Sequence, residues 1–180
     1  MSKPRQSKII WFTGMSGAGK SFYAKYLNNF FVKKNLDTLL IDGDVIRDKY
    51  NISVGFTYNE VCENNRNISN LCKSEYLKHD ITIVSVISPY QKIREEIKKL
   101  FDKDIYFIYV YSDINSLKKR DTKGLYKKAD NGIIDNLIGY SDKSVYEKPI
   151  DPNVTLNTSL NKNPEDNYKI LEKFIFDTIL

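Results

Sequence analysis

Residues 9–21, Ile9-Ile10-Trp11-Phe12-Thr13-Gly14-Met15-Ser16-Gly17-Ala18-Gly19-Lys20-Ser21, run from an apolar stretch into a glycine-rich turn. The first five are apolar, aromatic or β-branched and suit a buried strand. From Gly14 to Ser21 the chain satisfies G-x-x-x-x-G-K-[ST] in full. Glycines in such a loop let backbone N–H groups turn inward around phosphates, at the positive end of the helix that follows. Lys20 can reach the β- and γ-phosphates of a nucleotide, and the Ser21 hydroxyl can ligate Mg²⁺. A chance match is about a one-in-a-hundred event for this length at ordinary residue frequencies. Tyr23, Leu27 and Phe30 or Phe31 then recur at helical spacing, so the motif has the strand before it and the helix after it that its mechanism requires.

Outward from this loop, strand-like and helix-like segments alternate. Thr38–Ile41 reads as a short strand ending at Asp42, and Thr57 with Glu60 forms a capping box that opens a long polar helix toward His79. Ile81–Ile87 reads as a buried strand, followed by a helix striped by Ile93, Ile97, Leu100 and Phe101. Ile105–Val110 is a fourth strand and Val154–Leu156 a fifth. Asn163 and Pro164 start a last helix with Tyr168, Leu171 and Ile175 on its buried face. This alternation predicts an α/β fold over residues 1–180, one domain with a mainly parallel central sheet between helical layers. Residues 121–149 are rich in Lys, Gly and Asp with little periodicity, and read as a mobile lid over the site.

Composition narrows the functions. The net charge is +5, but the lysines fall in scattered pairs among acids, with no aromatic and basic stripe to track a nucleic-acid strand. A mild positive field suits a phosphate-rich small molecule equally well. No apolar run approaches the roughly 20 residues that span a bilayer, and the polar start MSKPRQSK predicts a cytoplasmic protein. Cys62 and Cys72 fall in one predicted helix and read as free thiols. A single histidine, His79, removes histidine-based metal sites and most Ser-His or Cys-His catalysis.

A phosphate loop alone does not separate kinases from GTPases or motor ATPases. An Asn-Lys-x-Asp guanine motif is lacking, and Asp121-Thr122-Lys123-Gly124 follows a helix-like segment rather than a strand, so a small-molecule kinase fits better. Asp42-Gly43-Asp44 ends the second strand, with Arg47 one turn further on; ligands gather at the carboxyl ends of strands in such sheets. A carboxylate there can accept a hydroxyl proton or hold Mg²⁺ through water, or it can simply form a surface turn and helix cap.

With its neighbours, this segment resembles the adenylylsulfate (APS) kinase family, whose members phosphorylate the 3′-hydroxyl of APS to make PAPS. The resemblance runs from about Ile9 to Thr158 through IIWFTGMSGAGKS, IDGDVIR, GFT, ENNR, ISPY, RDTKGLYKKA and YEKP, in the family's order. It implies a P-loop kinase-type three-layer sandwich with a lid segment. It also implies ATP and Mg²⁺ as cofactors, a small-molecule nucleotide acceptor and a homodimer, though no stretch marks an interface. ATP would be held by Gly14, Ser16, Gly17, Ala18, Gly19, Lys20, Ser21 and Phe22, with Arg120 and Thr158 bordering the adenine. Ser21 and Asp42 would serve the metal. Asp42 would be base or metal-linked carboxylate, with Lys20 and Lys123 stabilising transferred charge. The acceptor would meet Asp44, Arg47, Phe56, Asn64, Ile87, Ser88, Lys123 and Leu137. Phe56 reads equally as core packing.

Ser88 carries two readings. The family counts this serine as a phosphoserine intermediate, a catalytic role. Ser88-Pro89-Tyr90-Gln91 also reads as a helix start, with serine at the N-cap, proline at N1 and glutamine at N3. In-line transfer between two bound nucleotides needs no covalent step, which favours the cap and acceptor-contact reading. The chain also departs from the family pattern. Val61 and Asn67 stand where arginines are usual, Leu137 where an aromatic is usual, and Ile138 where a threonine is. The stretch Tyr140–Val145 is longer than usual. These changes strike the acceptor side, and they keep open another acceptor, a nucleoside diphosphate derivative such as cytidine diphosphoramidate. A reading of another class is a non-catalytic nucleotide-binding regulator. Intact Lys20, Ser21, Asp42 and Lys123 argue against it.

Overall fold

The computed structural model describes residues 6–50, 55 and 57–180, with residues 47–50 as backbone only. Strand β1 (Lys8–Thr13) leads through the glycine loop into helix α1 (Lys20–Lys33). Strand β2 (Thr38–Asp42) passes directly into α2 (Gly43–Tyr50), and α3 (Tyr58–Glu75) with a short 3₁₀ turn returns the chain to β3 (Ile81–Ser85). There follow α4 (Gln91–Phe101), β4 (Ile105–Tyr111), α5 (Ile114–Arg120), α6 (Leu125–Asp130), β5 (Val154–Asn157) and α7 (Pro164–Thr178). The strands form one sheet in the order β2-β3-β1-β4-β5, with each neighbouring pair parallel.

Side-chain alternation along the strands builds the three layers. Ile10 and Phe12 of β1 point into a cluster with Tyr23, Leu27 and Phe31 of α1 and Leu171 and Ile175 of α7. Ile9 and Trp11 point the other way, into a cluster with Cys62, Ile68 and Cys72 of α3 and Ile93, Ile97 and Phe101 of α4. Both faces of the central strands are therefore covered, which is why they read as continuous apolar runs. All strands end on the same edge of the sheet, and the loops that follow them meet there.

Several local expectations hold and two shift. The Thr57–Glu60 capping box forms in both directions at the start of α3. Asn163 caps α7 by accepting from the Glu165 N–H, with Pro164 in its first turn. Phe31 is the fully buried member of the Phe30/Phe31 pair, and Phe30 packs at the edge. The third strand, however, stops at Ser85, and Val86 and Ile87 belong to the loop beyond it. Residues 121–149, in which no element was expected, contain α6 and buried anchors at Tyr126, Leu137, Ile138 and Ser144 and form a folded strap. No helix among the described residues is long and apolar enough to cross a membrane.

Candidate active site

At the carboxyl edge of the sheet lies a cavity of about 890 Å³, within the size range of small-molecule sites. One end is the glycine loop. Gly14 hands the chain from β1 into that loop, and a Cβ on it would lie 2.3 Å from the Val110 carbonyl oxygen of β4. Only glycine lets the loop start this close to the neighbouring strand. Gly14 itself stands behind the cavity wall, which Ser16 through Phe22 line. Gly19 takes a left-handed φ of 101° and brings the chain into α1, whose first N–H groups have no intrahelical partners and face the loop. Lys20 lies back over the loop, its Nζ donating to the carbonyls of Gly14 and Met15 at 2.9 Å each.

Asp42 sits one layer deeper, only 8% exposed. Its Oδ2 accepts the Ser21 hydroxyl at 2.5 Å and its Oδ1 the Asp44 N–H at 3.0 Å. Ser85 at the end of β3 brings a further hydroxyl 3.3 Å from that of Ser21. Each carboxylate oxygen thus accepts one hydrogen bond, and Asp42 is tied to the glycine loop through Ser21 and to α2 through Asp44.

The strap and the residues beside it close the glycine-loop end. Arg120 donates from Nη1 to the Thr158 carbonyl at 2.8 Å and from Nη2 to the Ser112 hydroxyl at 2.6 Å, while the Thr158 hydroxyl reaches the Ala18 carbonyl at 2.8 Å. Asp121 accepts the N–H groups of Tyr126 and Lys127 and so fixes the start of α6. Tyr126, buried, returns its hydroxyl to the Ser16 carbonyl at 2.8 Å. Between these anchors Lys123 projects into the cavity and makes an ion pair with Asp44 at the start of α2.

The other end is walled by Val61, Asn64 and Asn65 of α3, by Val86, Ile87 and Pro89, and by Ile134, Leu137 and Ile138 of the strap. The expected acceptor positions Asp44, Asn64, Ile87, Lys123 and Leu137 are therefore brought together. Asn67 is exposed and not part of the wall. Phe56 and the Arg47 side chain lie outside the described residues.

Ser88 corrects the helix-cap expectation. Helix α4 starts at Gln91, whose N–H is capped by the Glu147 carboxylate at 2.5 Å. Ser88 lies before it with a left-handed φ of 43° and no exposed surface. Its hydroxyl donates to Asn65 Oδ1 at 2.6 Å and accepts from Trp11 Nε1 at 2.9 Å. It is turned into the protein, away from the cavity that Ile87 and Pro89 line.

Sequence reading missed the residues that hold this loop in place. Arg94, read only as part of a helix, is 3% exposed and donates to the carbonyls of Ser88 and Glu147, each at 2.7 Å, and to Gln91 Oε1 at 2.8 Å. Burial pulls its guanidinium below the ordinary arginine value. Tyr146 joins the same knot through the Thr13 hydroxyl at 2.8 Å, and burial pushes its phenol well above the usual range. A lone arginine inside the apolar stripe Ile93–Ile97 was the one available signal.

The model of the adenylylsulphate kinase family covers residues 6–157, most of the chain. The chain belongs to the adenylylsulfate kinase family. Relatives at this level include the adenylyl-sulfate kinase of Clostridium kluyveri, 38% identical over 91% of this chain and 81% of its own. That of Clostridium acetobutylicum is 37% identical over 98% of this chain and 82% of its own. Among solved structures, the APS kinase of Mycobacterium tuberculosis in complex with AMPPNP and APS superposes with a TM-score of 0.83. It is 25% identical, covering 96% of this chain and 99% of that one. As a member of the adenylylsulfate kinase family, the chain is an ATP-using phosphotransferase with an alcohol hydroxyl as acceptor, on a P-loop kinase fold.

Proposed function

We propose that the chain transfers the γ-phosphoryl group of ATP to the 3′-hydroxyl of adenylylsulfate, giving PAPS. The observation that carries this reading is the continuous cavity, with the phosphate loop at one end and the α3 and strap wall at the other. Two nucleotides bound head to head in it would bring donor phosphate and acceptor hydroxyl together between Ser21, Asp44 and Lys123.

Roles follow from the positions. Loop residues Ser16–Ser21 bind the ATP phosphates, with Lys20 leaving the Gly14 and Met15 carbonyls for the β- and γ-oxygens. Arg120 and Thr158 border the adenine. The hard oxygens of Ser21 and Asp42, with Ser85 close by, suit Mg²⁺, which keeps several waters and takes few protein ligands. When bound, the ion neutralises charge on the β- and γ-phosphates. Lys123 is held at the cavity by Asp44 and stabilises negative charge on the transferred group. Transfer is direct: the Ser88 hydroxyl is buried and has both its donor and an acceptor position in use. The acceptor hydroxyl meets Asp44 and Lys123, and Ile87, Asn64 and Leu137 hold its nucleoside.

A second acceptor is favoured by one observation. Val61, Leu137 and Ile138 make an aliphatic wall, where a purine would be better served by an aromatic face. A nucleoside diphosphate derivative with a smaller base, such as cytidine diphosphoramidate, is the corresponding alternative. ADP release from Mg²⁺-ATP in the presence and absence of APS tests the primary reading. APS-dependent release supports it, and release that ignores APS overturns it.

A further inference from the structure

We propose that Asn65 is a positioning residue for the acceptor, acting through Ser88. Asn65 is buried in α3 at the cavity wall, 3% exposed, amid the apolar cluster of Val61, Trp11 and Ile138. Its orientation is set by its partners. Nδ2 donates to the Val61 carbonyl at 2.8 Å, an acceptor only, which turns Oδ1 toward Ser88. The Ser88 hydroxyl must then donate to Oδ1, and it must accept from Trp11 Nε1, a donor only. The proton positions in this chain of bonds are therefore fixed by chemistry alone.

The chain of bonds ties α3 to the segment after β3. Ser88 pays for its left-handed φ of 43°, unusual for a residue with a Cβ, with these two buried bonds. On either side of it Ile87 and Pro89 line the cavity. The backbone of this segment has other anchors. The Ile87 carbonyl accepts from the Thr13 hydroxyl at 2.6 Å and the Gly14 N–H at 3.3 Å, and the Ser88 carbonyl accepts from Thr13 at 3.2 Å and Arg94 at 2.7 Å. The tie to the phosphate loop therefore does not run through the Ser88 hydroxyl. Asn65 thus sets the spacing between the α3 wall and the Ile87–Pro89 wall, the two sides between which an acceptor must fit. Its effect falls on the acceptor and not on ATP.

The kinetic arm of the test rests on the acceptor reading above; a second arm does not. In assays with Mg²⁺-ATP and APS, Asn65→Leu should raise the KM for APS about tenfold, the value of one lost hydrogen bond, with the KM for ATP and kcat within about threefold. Ser88→Ala should show the same split, and the double variant should be little worse than Ser88→Ala alone, because both substitutions remove the shared Asn65–Ser88 bond. Ser88→Gly tolerates the backbone angle but lacks the hydroxyl, so it too should show the raised KM. The second arm uses no substrate: Trp11 is the only tryptophan, and its single indole N–H resonance should shift and exchange faster in Asn65→Leu. An unchanged KM for APS in a folded variant, a matching rise for ATP, or full recovery in Ser88→Gly would overturn the proposal. If the wild-type chain does not turn over APS, the acceptor reading fails, and the indole arm decides for Asn65: an unmoved resonance sinks it, a shifted one sustains it.

Discussion

The two ends of the cavity are built from different material. At the nucleotide end the wall is largely backbone: a glycine loop, a helix N-terminus and carbonyls that hold Lys20 and Arg120. At the acceptor end the wall is side chains from three separate segments, α3, the loop after β3 and the strap, and it is held together by buried polar groups. A backbone site demands particular residues at particular spacings, because only glycine permits its turns. A side-chain site is set by packing between segments far apart in sequence, and it can change its ligand without changing the fold.

Lys20→Ala is the severest challenge to this contrast. It should lower kcat/KM by at least about a hundredfold, the loss typical of one electrostatic contact to transferring charge. The melting temperature should hardly move, since Lys20, at the start of α1, lies outside both core clusters. Retained activity in a folded variant would undo the assignment of the nucleotide end. Ser88→Ala probes the other end by stability: it leaves the Trp11 N–H and the Asn65 carbonyl oxygen unpartnered. Urea unfolding should show a loss of about 1–3 kcal/mol for each group orphaned. Activity should remain, and a phosphoenzyme trapped on Ser88 at the catalytic rate would contradict direct transfer.

Much of this was legible beforehand, and unevenly so. The glycine motif, the Thr57–Glu60 box and the Asn163-Pro164 helix start each encode a local backbone geometry, and each formed as read. Ser88-Pro89-Tyr90-Gln91 looked equally local but was not a cap. Asn65 and Trp11, both distant in sequence, take the Ser88 hydroxyl, Arg94 takes its carbonyl, and the Glu147 carboxylate takes over the cap of α4. Asn65 offered no such signal, because the fold alone brings Ser88 to it, and Arg94 offered only its place beside an apolar stripe. The folding of the strap was hidden for the same reason: its packing comes from Tyr126, Leu137 and Ile138 meeting the rest of the molecule, not from any period of its own.

A smaller effect sharpens the contrast further. Leu137→Phe should improve APS binding by about 0.5–1.5 kcal/mol, the value of one aromatic contact, and leave ATP binding alone. Titration of APS into the ADP complex, followed by calorimetry, reads this directly. Val61→Arg should act in the same direction but at a cost in stability, because Val61 is buried in the same apolar cluster as Tyr90 and Ile138. The smallest effect concerns the thiols. Burial pushes Cys72 up to about 12, so its thiol stays protonated at neutral pH and should resist alkylation in the native protein. Rapid labelling of Cys72 without denaturant would show that α3 is not packed as described.

The central claim, a kinase whose acceptor is adenylylsulfate, is tested most directly by competition. Equal concentrations of APS and cytidine diphosphoramidate are offered with limiting Mg²⁺-ATP, and the phosphorylated product is identified by mass spectrometry and phosphorus NMR. The account predicts that PAPS dominates, with the new phosphate on the 3′-hydroxyl. A product mixture dominated by the phosphorylated cytidine derivative would contradict it, and would mark Val61, Leu137 and Ile138 as the wall of a different acceptor site.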